Sequence, residues 1–588
     1  MNVRPLLVIV ALGVLLRFAH LLAVAPTPIL SYHHTFRESD MYMFDQWARR
    51  IANGDVLGRE VYHPVVSWQL AAAPLPKWNA WYGESPVFYK APLYPYLIAG
   101  LYRISDDAMV ALAMLQILAG GLSIVLLSRV VSRVFGEFTG LLSALIYAVY
   151  APDIHYDVVM LRGPWIILVS LLATWQLVEL HALPHARRAL ALGATVGIAL
   201  LINEGFFAVL PLVFLLLIVW FPAANRLVAL TCAFAVGVTV AVAPLVIRNV
   251  VVGAPALKLS VTGSTVYAVF NSAGASPYFF QVRPATFVPI IEQSGGSLLA
   301  TVIGCLRSFG HVRDVAVFYL QKTSGLAIPF ENPDNANFYY AALKSPLLTI
   351  LPNYALLFPV SVVGLGLAIR KIRAWLPLLP FSMCLFVSIL LTLPLSRYRA
   401  TFAVYLIPFA AFALVEAARC LRSRRLLAVS AMVVVGVLTF LTAGLLEDRV
   451  AFAGIPRGYY YYRPVEFFLG AEVYERQGRF AEGAQEALNL AELNPHAPTK
   501  ALALLVMARL EARRGDSALA GRALADARQL DSANPWLLQA VGDVYLHMLG
   551  DRVAAADCFR QATKAGPPET LRHALEEQLR LLEGPRVK

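Results

Sequence analysis

About eleven apolar runs of membrane-spanning length lie along this chain, near residues 5–25, 107–128, 137–151, 163–180, 189–203, 205–221, 227–247, 346–369, 375–394, 400–418 and 426–446. A run of about 20 apolar residues crosses a bilayer as a helix. The third and fifth runs are short and are expected to extend past the apolar core. Of the 588 residues, 59% are hydrophobic and 15% charged. Soluble proteins carry roughly 45–50% and about 25%, so much of this apolar surface must face lipid. The expected fold is all-α: a polytopic bundle with a helical tail. The first run, between Arg4 and Ala23-Val24-Ala25, has the look of a secretory signal with a small-residue cleavage site. Its length, and Pro26 directly after that site, favour a retained anchor.

Lys and Arg in short loops mark the cytoplasmic side. Here they concentrate at Arg129 and Arg133, Arg187 and Arg188, Arg226, Arg370 to Arg373, and Arg419 to Arg425. With about eleven spans, the N-terminus is inside and everything after residue 446 outside. The net charge of +12 is therefore largely a topology signal, and a nucleic-acid partner is not indicated. Two long external segments result, 26–106 and 248–345; loops of this length are usually functional. Trp68, Trp78, Trp81 and Tyr82 in the first suggest short helices lying in the membrane interface. The five cysteines show no metal-ligand spacing, and Cys305 with Cys558 is the one pair placed outside that could bridge.

Beyond a linker at 447–462, helical periodicity rich in Ala, Leu and charge fills 463–588. Two windows fit a tetratricopeptide-like pattern of small residues, aromatics and a terminal Pro. They are Ala471, Tyr474, Gly478, Ala484 and Pro495, and Gly542, Tyr545, Gly550, Ala555, Phe559, Ala562 and Pro567.

Candidate chemistry gathers at external helix ends. Glu38, Asp40 and Asp45 follow the first span, where Ser39 or Asp40 could equally cap a helix. Asp153, His155 and Asp157 precede the fourth span. Arg162, Arg248, Arg397 and Arg399 sit at external ends against the positive-inside bias, and Lys90 stands where the first loop returns to the membrane. Cations there suit a lipid-anchored phosphate, whose geometry Arg matches well. Snorkelling to headgroups is the plainer alternative for any one of them.

Ser39-Asp40-Met-Tyr42, Asp45-Gln-Trp47, Lys90-Ala-Pro92-Leu-Tyr94-Pro95-Tyr96, Tyr156-Asp157, Pro244 to Asn249, Asn337-Phe338-Tyr339 and Arg397-Tyr398-Arg399 occur in an order that resembles the GT-C integral-membrane glycosyltransferases. Within these, the pattern is nearest the protein O-mannosyltransferase-like branch, glycosyltransferase family 39, and spans 1–446. The resemblance implies inverting transfer from a polyprenyl-phosphate sugar, mannose by inheritance from the branch, to an external acceptor. It implies Asp40 as base, Asp157 on the acceptor side, and Lys90, Arg248 and Arg397, with Arg399 beside it, as phosphate contacts. Ala91 replaces the first Pro of the usual Lys-Pro-Pro, and Asn203-Glu204-Gly205 stands where relatives often have Arg-Pro. No cofactor is required by this chemistry. A divalent metal on Glu38 and Asp40 is the alternative, as in metal-dependent oligosaccharyltransferases. The expected setting is a bacterial inner membrane, with the repeats in the periplasm holding a protein acceptor at high effective concentration. Transfer to lipid A or a glycan carrier is the nearest rival. A transporter would place its ionisable groups at mid-membrane instead.

Overall fold

A computed structural model describes residues 3–83, 85–451 and 461–583. The described residues form helices joined by turns and loops, with no strand among them. They divide into two units: one runs to residue 24 and then from 36 to 451, and the other takes 25–35 and the described residues beyond 460.

In the first unit seven helices are long and apolar enough to cross a membrane: Val3–Val24, Met109–Phe135, Gly163–Ala182, Ala224–Val251, Leu347–Leu391, Ser396–Arg422 and Leu426–Glu447. Three of the eleven runs yield shorter helices, Glu137–Ala148, Ala186–Ile202 and the stretch Glu204–Trp220. Pro152 opens a separate short helix, Ala151–Tyr156, and so stops the first of these early. The runs at 346–369 and 375–394 form one apolar stretch, interrupted by 3-10 turns at Ile369–Lys371 and Leu376–Leu378, where the basic cluster and Pro377 fall. Close backbone approach supports the packing. A Cβ on Gly193 would lie 2.0 Å from the Phe234 carbonyl oxygen, and one on Gly364 1.8 Å from that of Phe409. Small residues at such crossings let membrane helices pack by van der Waals contact.

The middle of the first span carries a fully buried arginine. Arg17 Nε donates to Asp157 Oδ2 at 2.5 Å, and its Nη1 donates to the carbonyls of Gly13 and Ala148. Gly120 makes room for the pair, since a Cβ there would stand 2.6 Å from Asp157 Oδ2 and 2.8 Å from Arg17 Nε. Breaking a buried pair from one side leaves an uncompensated charge and costs about 3–5 kcal/mol. Arg17→Met should lower the thermal unfolding midpoint in detergent by several degrees, and Gly120→Ala should also lower it. An unchanged midpoint in both would show that the pair adds nothing.

Of the four aromatic residues singled out in the segment 26–106, Trp68 and Trp81 are partly buried and pack against the other two. Trp78 and Tyr82 are fully buried in a small core with Val261, Phe287 and Ile291 from the segment 248–345. Trp78 Nε1 donates to the Gln69 carbonyl, and Gln69 Nε2 donates to the Tyr82 hydroxyl. These internal partners, more than a water-facing rim, satisfy the polar ends of the rings. Lys322 fastens this layer to the bundle: its ammonium, pushed down to about 7 by burial, donates to the carbonyls of Phe270, Leu390 and Thr392 and to Asn271 Oδ1. All five cysteines are free, and Cys305 and Cys558 are each buried in their own unit, so no bridge joins them.

The second unit holds helices Pro464–Arg476, Phe480–Leu493, Ala497–Arg514, Ser517–Leu530, Pro535–His547, Arg552–Lys564 and Glu569–Glu583. A Cβ on Gly542 would meet the Phe559 ring at 2.4 Å, so the glycine is the notch that receives the aromatic. Residues 25–35, expected in the membrane domain, belong here: Tyr32 is buried and its hydroxyl donates to the Glu466 carbonyl at 3.1 Å.

Candidate active site

Asp40 is the first residue of the helix Asp40–Ala52. The capping question resolves on Ser39, whose hydroxyl accepts the Tyr42 N–H, so the Asp40 carboxylate is left for other work. Lys90 Nζ donates to Asp40 Oδ1 at 2.5 Å, and Arg397 Nη1 donates to Asp40 Oδ2 at 2.6 Å. Three distant segments thus meet on one carboxylate: the start of the first loop, its return to the membrane, and the head of the helix Ser396–Arg422. Burial would raise the Asp40 carboxyl, but Lys90 and Arg397 outweigh it and hold it well below the usual carboxylate range. The group sits at the positive end of its helix, which also favours the anion.

Around this centre lie further charges. Arg397 Nη2 contacts Asp334 Oδ2 at 2.7 Å and donates to the Tyr398 hydroxyl. Arg162 donates to the Ile202 carbonyl and to Glu204 Oε2 at 3.3 Å, and the Ala91 N–H reaches the same Glu204 oxygen. The Phe44 ring lies beneath both Lys90 and Arg162. Burial draws the Lys90 ammonium below its ordinary value; Asp40 opposes this, and Arg162 and Arg397 add to it. Asp40, Lys90 and Arg397 keep 21, 16 and 17% of their surface exposed, so a ligand can reach them. The three cations Lys90, Arg162 and Arg397 face the three carboxylates Asp40, Asp334 and Glu204.

Other residues expected here are occupied elsewhere. Arg248 donates to the carbonyls of Leu57, Gly58 and Pro86 and stacks on Phe88, so it clamps the first loop. Arg399 is buried against Glu331 and the carbonyls of Ile328 and Phe330, which removes it from any phosphate. Asp157 is committed to Arg17, and Gln116 Nε2 donates to its backbone carbonyl. Asp153 is buried beside it, and His155 packs against His20. Asp45 is held by Gln46, Arg49 and Tyr102. Glu38 accepts the Ser67 N–H. A divalent ion shared by Glu38 and Asp40 does not fit these contacts. Both Asp40 oxygens already face cations, and the pair joins no converging set of three His, Cys, Asp or Glu side chains among the described residues.

Sequence reading passed over Asp334 and Asn335 and did not place Glu204 at the site. The first two belong to the polar stretch Glu331-Asn-Pro-Asp-Asn-Ala-Asn337, whose composition is that of an ordinary turn. Glu204 was visible as a departure from the familiar Arg-Pro, and its partner is the stray Arg162.

The described residues thus hold seven helices of membrane-spanning length and, at helix ends, a carboxylate between two cations. Residues 89–248 match the family model described as dolichyl-phosphate-mannose-protein mannosyltransferase, a glycosyltransferase. That stretch includes Lys90 and Arg162. The crystal structure of ArnT from Cupriavidus metallidurans bound to undecaprenyl phosphate aligns over 99% of this chain and 85% of its own, at 14% identity and a TM-score of 0.40. The Archaeoglobus fulgidus oligosaccharyltransferase tethered with an acceptor peptide aligns over 81% of this chain at 14% identity and a TM-score of 0.40. The chain spans 58% of that protein's length. AglB from the same organism, in complex with an inhibitory peptide and a dolichol-phosphate, aligns over 81% of this chain and 59% of its own, at 14% identity and a TM-score of 0.36. No curated sequence matches the chain.

Proposed function

We propose that this protein transfers a sugar, with inversion, from a polyprenyl-phosphate carrier to a protein hydroxyl on the external face of a bacterial inner membrane. The observation that carries the reading is Asp40 held between Lys90 and Arg397 at a partly open site. A sugar phosphate already has its leaving group, so the enzyme must supply a base for the acceptor and cations for the departing phosphate. Asp40 is the base, and Lys90 and Arg397 are the clamp. The acceptor oxygen bonds the anomeric carbon, the carbon–oxygen bond to phosphate breaks, and the acceptor proton passes to Asp40.

The resting ion pairs make this sequence conditional. A carboxylate neutralised by two cations is a weak base. A donor phosphate is a second anion for the same cations, and as they turn to it Asp40 regains proton affinity. When the proton arrives, Asp40 loses its charge just as polyprenyl phosphate gains one, so the cations pass from base to leaving group. The pH profiles follow. In the free enzyme Asp40 stays ionised through the mildly acid range, so kcat/KM for donor shows no acid limb from this group. In the donor complex it titrates nearer the ordinary value of about 4. An acid limb should therefore appear in kcat at a pH where kcat/KM for donor is still flat, and coincident limbs would contradict the exchange.

The family description names mannose, and this is the sugar to supply first. Purified protein with polyprenyl-phosphate mannose and a Ser/Thr peptide should give glycopeptide. Transfer to a lipid acceptor alone would replace the protein hydroxyl in this reading, and no sugar release from any polyprenyl-phosphate hexose would overturn it. The helical tail is assigned to acceptor capture, where tethering raises effective concentration. Removing 463–588 should reduce transfer to a folded protein at least tenfold more than transfer to a short peptide; equal losses would rule capture out.

A further inference from the structure

The Asp40 carboxylate has one neutral partner among the described residues, and it comes from 295 positions away. Asn335 Nδ2 donates to Asp40 Oδ2 at 3.2 Å, while Asn335 Oδ1 accepts the Asp40 backbone N–H at 3.1 Å. The first N–H groups of a helix have no intrahelical acceptor. Ser39 takes that of Tyr42, and Asn335 takes that of Asp40. The Asn335 amide offers a donor and an acceptor side by side. Turned over, it would set oxygen against the carboxylate and N–H against N–H, so the two contacts fix its orientation.

The two carboxylate oxygens are therefore unlike. Oδ2 is bound by Arg397 and Asn335, whereas Oδ1 is bound by Lys90 alone among the described residues. Once the cations turn to a donor phosphate, Oδ2 keeps its amide and Oδ1 is open. We propose that Asn335 is the positioning residue of the reaction, holding Asp40 by its helix N–H and Oδ2 so that Oδ1 takes the acceptor proton. This rests on Asp40 being the base. A misplacement of about 1 Å in a reacting group costs about 10²-fold in rate, and the second external segment supplies the restraint against it.

The test compares Asn335→Ala, Asn335→Asp and Asp40→Asn in full-length protein with polyprenyl-phosphate mannose and peptide. Asn335→Ala should lower kcat by about 10–100-fold with the donor KM within about threefold, because Lys90 and Arg397 remain. Its acid limb of kcat should move to higher pH, since a donor to the charged carboxylate is gone. Asn335→Asp keeps the helix contact and sets a second anion beside Asp40, so its limb should move further still; it also keeps the test open should the alanine variant unfold. A purely structural role would reduce the amount of active protein and leave the limb in place, and that result overturns the proposal. If Asp40→Asn is inert while both Asn335 variants behave as wild type, this inference alone falls. If Asp40→Asn transfers sugar normally, the base assignment itself has failed.

Discussion

Asp40→Asn should lower kcat by about 10²–10⁴-fold, the usual contribution of a positioned general base. The amide keeps the shape of the carboxylate and can still meet Asn335, so the helix start should persist. What disappears is the proton acceptor and the charge that occupies Lys90 and Arg397. Two consequences therefore point in opposite directions: chemistry collapses while the cations become free for phosphate. A variant weakened in both respects would speak for a structural aspartate. Single-turnover sugar transfer measured beside donor binding separates the two.

Arg397→Ala should be nearly as damaging, and for a different reason. Removing a cation aimed at developing charge typically costs about 10²–10³-fold in kcat. Here donor affinity should fall as well, because Arg397 joins Asp40 to Asp334 and its loss leaves both carboxylates facing a phosphate with one cation fewer to offset them. Arg397→Lys should recover only part of the loss, since a single ammonium cannot span two carboxylates as the guanidinium does. Arg248→Ala is the contrasting case. Its partners are loop carbonyls, so it should lower the thermal midpoint while leaving the donor KM of the folded fraction unchanged. A rise in donor KM with Arg248→Ala, or an unchanged one with Arg397→Ala, would reverse the two assignments.

The cluster around Asp40 was partly legible because membrane topology constrains charge. Asp40, Lys90 and Arg397 stood out as ionisable residues at external ends of apolar runs, and the fold joins them. The same criterion selected Arg248 and Arg399, which the structure commits to backbone carbonyls and to Glu331. A residue's position relative to the membrane does not tell which neighbours will use it up. The partner of Asp157 was overlooked for a related reason. That partner, Arg17, lies inside the first apolar run, and an arginine at such depth is expensive enough to demand a carboxylate. Reading Arg17 as a demand would have paired it with Asp157 and explained the Gly120 notch opposite. Asn335 was out of reach, because nothing in a turn-rich stretch announces a partner 295 residues away. The tail's helices were legible from period and punctuation. That residues 25–35 join them was not, since the link is a buried tyrosine on a backbone carbonyl.

The sharing of two cations between Asp40 and a lipid phosphate can be read without turnover. Polyprenyl phosphate titrated into wild-type protein and into Asp40→Asn at neutral pH should bind the variant about tenfold tighter, or about 1.4 kcal/mol, because the competing anion is gone. Equal or weaker binding by the variant would mean that Lys90 and Arg397 serve the aspartate alone, and that the phosphate is held elsewhere.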